Sequence, residues 1–335
     1  MFKIPTVLTA DEILDKAFKK AAKVDLSSVT KLETVREINI AKLKSSSDTI
    51  VSTMGRYVKA FPSIERLSPF YNQLIDVTIG KDQLRKSLGA IDWSRGQVAR
   101  ISKDAVRRVA VARKMGEIDE IRRGAYGRIS SVVKQVGKDL KFLANARNII
   151  RKFPTIEPAV PTIVIAGAPN VGKSQLIGRI STAKPRVAVY PFTTQEVSVG
   201  TFERRYIRYQ VIDTPGLLDR PLNERNPIEL RAVLALKYLA DVIVFILDPS
   251  ETCGYRVDEQ ERILESIRSE FGDIPIILAE NKSDVLVTET DRPKISAETG
   301  EGVPELVDSI LDELKKRSGL EEGPDGHLDL RGLSP

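Results

Sequence analysis

"GAPNVGKS", residues 167–174, follows the apolar run Thr162-Ile163-Val164-Ile165-Ala166 and precedes a stretch that reads as a helix. It matches G-x-x-x-x-G-K-[ST] in the context that pattern requires, a β-branched strand before it and a helix behind it. Glycines let such a loop turn so that successive backbone N–H groups point inward at phosphate oxygens, and the start of the following helix adds its dipole. Gly167, Ala168, Pro169, Asn170, Val171, Gly172, Lys173, Ser174 and Gln175 therefore form the candidate phosphate cradle. Lys173 is expected to reach the β- and γ-phosphates, and the Ser174 hydroxyl to ligate Mg²⁺.

Downstream, the apolar run Ile274 to Ala279 reads as a strand feeding Asn281-Lys282-Ser283-Asp284, the N-K-x-D pattern of guanine-nucleotide proteins. Asp284 can accept two hydrogen bonds, from guanine N1–H and the 2-amino group. Adenine offers neither donor in that geometry, and an unpaired carboxylate makes ATP costly. "SAE" (296–298) resembles the matching loop, with Ser296 beside Ala297, whose backbone N–H would meet guanine O6. In this order and spacing the motifs call for GTP and its product GDP. Between them, "DTPG" (213–216) follows the strand Tyr206 to Ile212 and places Asp213 to hold Mg²⁺ through water and the Gly216 N–H to contact the γ-phosphate. "YPFTT" (190–194) offers Thr194, before Thr193, as the second hydroxyl ligand of the metal. Lys173, Thr194 and Gly216 are thus the groups expected to bear on the transferred phosphoryl, with Ser174, Thr194 and Asp213 as the metal set.

Strands alternate with helices from 162 to 317, which predicts an α/β P-loop GTPase domain with a mostly parallel sheet and helices on both faces. Upstream of it the chain changes character. Residues 1–155 carry 31 Lys and Arg against 16 Asp and Glu, and the remaining 180 carry 21 against 30. Such asymmetry argues for two domains with different partners. The three prolines of "KFPTIEPAVP" (152–161) suit a short stiff linker between them.

The basic half reads as an all-α helical bundle. Thr9 with Glu12 is a capping box, followed at helical spacing by Ile13, Leu14, Ala17, Phe18 and Ala21. Val98, Ile101, Ala105, Val109 and Ala112 mark one face of a later helix. After an expected break near Gly116, a second stripe runs Ile118, Ile121, Ala125, Ile129, Val132, Val136, Leu140, Leu143, with Lys134, Lys138 and Lys141 on another side. Two long antiparallel helices fit that pattern. The cationic surface calls for a polyanion, and rRNA is the expected one, held by phosphate and shape since no RNA-recognition motif is present. The expected division is a basic helical domain at 1–155, the GTPase domain at 156–318, and a mobile tail at 319–335 opened by "EEGPDG".

No run nears the ~20 apolar residues that span a bilayer, and the first residues do not read as a secretory signal, so no membrane partner and a cytoplasmic location are expected. The single Cys253 and single His327 exclude an internal disulfide and a Cys/His zinc cluster.

"GAPNVGKS", "YPFTT" and "DTPGLLD" resemble the Obg-type translation-factor GTPases. "FPSIERLSPFY" (61–71), "GAYGRISSVVKQ" (124–135), "DRPLNERNPIELRAVLAL" (219–236) and "DPSETCGY" (248–255) are similar to the nucleolar GTP-binding protein family. That resemblance covers about 315 residues, and the chain stops soon after the GTPase domain, as the shorter archaeal members do. It implies a GTPase acting in assembly of the large ribosomal subunit, with the subunit precursor, its rRNA and its ribosomal proteins as partners; the oligomeric state is left open. Where Ras-like proteins place a Gln, this chain has Leu217, so intrinsic hydrolysis is expected to be slow. In related GTPases with a hydrophobic residue there, the loop Asn, here Asn170, helps hold K⁺; a group from the ribosomal partner is the alternative. A ribosome-associated translation or stress regulator, or a GTP-stabilised scaffold with negligible hydrolysis, would use the same parts.

Overall fold

The computed structural model describes residues 2–24, 32–190, 196–213 and 216–318. Two compact units divide it: residues up to 67 with 78–151, and residues 68–77 with the described residues from 152 onward. The expected tail, 319–335, lies outside the described residues. No described helix is long and apolar enough to cross a membrane.

The first unit is helical. Its first helix, α1 (Ala10–Ala22), starts on the expected box: Glu12 N–H donates to Thr9 Oγ1 at 3.3 Å and Thr9 N–H to Glu12 Oε2 at 2.8 Å. Two long helices follow, α2 (Leu32–Ala60) and α4 (Lys81–Val111), with α3 (Pro69–Thr78) between them in sequence. Leu43 from α2 packs with Ala105 and Val109 from α4 and with Ile118, Ile121 and Ala125 from α5 (Met115–Gln135). Buried hydroxyl residues also line these helices, and their side chains bond carbonyls, Ser46 and Ser102 both donating to Leu43 O.

Two expectations shift. The break comes at 112–114, where Ala112 turns extended (φ −63°, ψ 137°), and Gly116 lies inside α5. The stripe from Ile118 to Leu143 is carried by two helices, because Val136 leaves helical geometry (φ −94°, ψ 17°) before α6 (Gly137–Ile150). Gly137 is a weak helix former at that point. Within α5 the buried face runs Ile118, Ile121, Ala125, Ile129, Val133, so Val133, four residues after Ile129, is buried and Val132 only partly so.

The second unit holds a six-stranded sheet in the order β2-β3-β4-β1-β5-β6. Strands β1 (Thr162–Ala166), β4 (Ile207–Asp213), β5 (Val242–Leu247) and β6 (Ile276–Glu280) run parallel. Antiparallel β3 (Glu196–Arg204) and β2 (Arg186–Val189) extend one edge. Both β1 and β5 are buried along their whole length, as strands covered on both faces must be. Helices α7 (Lys173–Ile180), α8 (Pro227–Leu234), α9 (Val257–Glu270) and α10 (Val303–Ser318) complete the layers.

Helix α3 is the exception to the sequence reading. It belongs with the sheet: the Tyr71 hydroxyl meets Pro154 O at 2.8 Å and Ile156 O at 2.9 Å, and accepts from Ile156 N–H at 3.0 Å. Phe70 beside it is fully buried. The proline segment that reads as a linker is therefore packed into this unit, with Phe153 and Ile156 buried and Gln210 Nε2 donating to Glu157 O at 2.7 Å.

Candidate functional site

In a parallel sheet, ligands bind beyond the carboxyl ends of the strands. Register brings the ends of β1 and β4 together there: Ile165 pairs with Asp213, two residues before Gly167. Gly167 (φ 140°) starts it, and a Cβ at that position would lie 2.5 Å from Ile246 O, so only glycine lets the loop pass β5. Gly172 (φ 100°) sits against the side chain of Asn281, where a Cβ would collide. Both glycines thus fix the backbone of the loop against its neighbours.

Lys173 opens α7, whose first amides have no intrahelical acceptor. Its ammonium is buried and donates to Gly167 O at 2.9 Å and Ala168 O at 2.7 Å. Burial pulls its pKa below the usual 10.5, opposed by the charges of Asp213 and Asp219. The Ser174 hydroxyl donates to Asp213 Oδ2. A hydroxyl and a carboxylate oxygen at the mouth of the loop are the hard donors Mg²⁺ takes, so these residues fit that ion. Thr194 and Thr193 lie outside the described residues.

The Gly216 N–H donates to Asp219 Oδ2 at 2.7 Å, and the other oxygen of Asp219 faces the buried Arg225 at 3.5 Å. Leu217 is fully buried, and Leu218 O accepts from the Gly167 N–H at 3.1 Å, tying the two segments. Asn170 is exposed at φ 61°, with no side-chain hydrogen bond among the described residues.

On the far side of β5, Asn281 joins three segments. Its Nδ2 donates to Val171 O at 2.7 Å, its Oδ1 accepts from Ala297 N–H at 2.8 Å, and its own N–H donates to Leu247 O at 2.8 Å. Asp284 is exposed beyond it, and Ser296 is buried, its hydroxyl capping Thr299 N–H. Lys282 (φ 65°) reaches Asp248 at 2.6 Å and Thr252 at 2.8 Å. Burial acts to raise the Asp248 pKa, but Lys282, the Ser250 hydroxyl and the Cys253 N–H outweigh it, and the carboxyl is held low.

The structure thus gathers Gly167 to Gln175, Asp213 and Gly216 at one end of the sheet and Asn281, Lys282, Asp284, Ser296 and Ala297 beside them. Three residues were not singled out by motif reading. Asp248 anchors Lys282; Arg179 on α7 donates to Ala297 O at 3.1 Å and to Glu298 O; Asp219 engages Gly216. Asp219 and Asp248 lie in stretches that carry the family resemblance, which is the only signal the sequence offers for them.

The profile of the NOG1 N-terminal helical domain matches residues 2–157, and that of nucleolar GTP-binding protein 1 (NOG1) matches residues 227–284. An uncharacterized protein of Methanocaldococcus jannaschii is 37% identical over 85% of this chain and 81% of its own. Nucleolar GTP-binding protein 1 of Drosophila melanogaster is 35% identical over 86% of this chain, and that of Saccharomyces cerevisiae 31% over 90%. The chain spans 44% and 47% of the length of those two relatives. A solved Plasmodium falciparum structure, provisionally described as nucleolar GTP-binding protein 1, is 35% identical over 50% of this chain and 92% of its own at a TM-score of 0.44.

Proposed function

We propose, because this chain belongs to the NOG1 family of nucleolar GTP-binding proteins and carries the P-loop GTPase fold, that it is a GTP-hydrolysing switch in assembly of the large ribosomal subunit. The observation that carries the nucleotide reading is Asn281, whose amide bonds both the phosphate loop and the Ala297 loop. Base reading and phosphate binding are then one rigid piece. Asp284 accepts from the guanine edge, Lys173 neutralises the β- and γ-phosphates, and Gly216 and Thr194 sense the last of them. Ser174, Thr194 and Asp213 would hold Mg²⁺, which when bound draws negative charge off the transferred phosphoryl.

Hydrolysis needs help in this reading, because Leu217 is buried and apolar. Asn170 is the group placed to assist a K⁺ ion, and turnover is expected to be faster in K⁺ than in Na⁺ and to lose that difference in Asn170→Ala. Equal turnover in both salts would leave the role to the ribosomal partner. Contact with rRNA is assigned to the first unit, where Arg100, Lys103, Arg107, Arg108, Lys134, Lys138 and Lys141 are exposed.

The nucleotide reading is tested by equilibrium binding. GTP should bind tighter than ATP by about 10⁴-fold, and Asp284→Asn should abolish that preference while improving xanthosine triphosphate, whose 2-oxo group accepts from the new amide. Equal affinity of the parent protein for ATP and GTP contradicts it.

A further inference from the structure

The β3–β4 hairpin closes on Arg205-Tyr206, with Arg204 paired to Ile207 across the turn. Both loop residues lie at positive φ, 50° and 64°, the arrangement of a type I′ turn. That turn ordinarily takes Asn-Gly, since a bulky L residue is disfavoured there. The chain therefore retains a costly pair where a cheap one would close the same hairpin, and the side chains are the reason to look for.

Their chemistry is specific. Tyr206 is 93% exposed, although it is one of the chain's large aromatics. Arg204, Arg205 and Arg208 lie within two residues of it along the hairpin, on a unit whose sequence is acidic in balance. Beneath the tip lies a cleft of about 590 Å³ lined by Arg204, Arg205, Tyr209, Leu311 and Lys315, with Asp308 and Asp312 on its α10 side. Arg204 reaches Asp308 at 3.5 Å, and Arg208 reaches Glu157 at 3.2 Å, so these two arginines are engaged within the unit and Arg205, in the turn itself, is the one beside the ring in sequence.

An exposed ring among guanidiniums is how proteins take unstacked bases. The ring stacks on the base while arginines meet the flanking phosphates. We infer that the β3–β4 hairpin is a single-stranded RNA contact, with Tyr206 as the stacking platform and Arg205 as its phosphate partner. It differs in kind from the helical contact proposed above, which reads charge and shape. Its place also matters: β4 runs seven residues from the tip to Asp213, so the contact sits about 20 Å from the phosphate loop, at the opposite end of the same strand.

The test is fluorescence anisotropy on the full chain with two probes, a short oligoadenylate and a blunt RNA duplex, at fixed salt. Tyr206→Ala is expected to weaken the oligoadenylate about 5- to 100-fold and leave the duplex unchanged, while Tyr206→Phe keeps both. The double variant Arg205→Asn, Tyr206→Gly should melt higher than the parent, since its turn is relaxed, yet lose the single strand. Reversing Lys134, Lys138 and Lys141 to Glu should weaken both probes together, which separates failure of the helical contact from failure of the hairpin. Unchanged oligoadenylate affinity in Tyr206→Ala, or an equal loss in Tyr206→Phe, would overturn the inference.

Discussion

Asp219 holds the amide that the γ-phosphate would take. Its carboxylate accepts from Gly216 N–H at 2.7 Å, so in the proposed binding mode a triphosphate would displace a charged oxygen, whereas a diphosphate would leave the bond intact. Charge-assisted bonds of this type are worth more than neutral ones, so in the proposed switch Asp219 would weight the GDP side. Asp219→Ala is expected to raise the ratio of GTP to GDP affinity by about 3- to 10-fold, read by competition titration. A ratio equal to that of the parent removes Asp219 from the switch. At this scale the placement of Lys173, Ser174, Asp213, Asn281 and Asp284 at one end of the sheet is legible in sequence, because they occur in motifs whose order follows the strand ends. Asp219, Asp248 and Arg179 are not legible that way. Each acts through a partner that folding supplies, from 3 to 119 positions away.

At the scale of elements, periodicity carries the helices and composition carries the strands. The capping box of α1 and the Val98, Ala105, Val109 face of α4 stand as the spacing predicts. The stripe across Val136 misleads, because a one-residue departure from helical geometry preserves a passable apolar spacing across two helices; within α5 the i+4 step from Ile129 falls on Val133, not Val132. Helix α3 is opaque to local reading: its anchors lie 83 and 85 positions downstream at Pro154 and Ile156. Those bonds make α3 part of the nucleotide-binding unit. Tyr71→Phe should lower stability by about 1–3 kcal/mol by orphaning the buried Ile156 amide and the two carbonyls, measured by urea denaturation. A fragment beginning at residue 152 should be less stable than one that retains 68–77 in trans or by fusion. Equal midpoints for Tyr71→Phe and the parent would show that α3 does not brace this unit.

At the scale of the molecule, the balance of charge changes sign along the chain. Residues 1–155 hold 31 basic against 16 acidic side chains, and the lysines at 134, 138 and 141 are all exposed on α5 and α6. The second unit is acidic in balance and carries the P-loop, the guanine segment and the amide held by Asp219. The proposed polyanion grip and nucleotide sensor make a switch only if the state of one alters the hold of the other. The direct measurement is the affinity of the full chain for purified large-subunit precursors, loaded in turn with a non-hydrolysable GTP analogue and with GDP at one salt concentration. The expected result is a difference of at least about fivefold between the two nucleotides, the lower end of ordinary coupling. Identical affinity in both states would contradict the account.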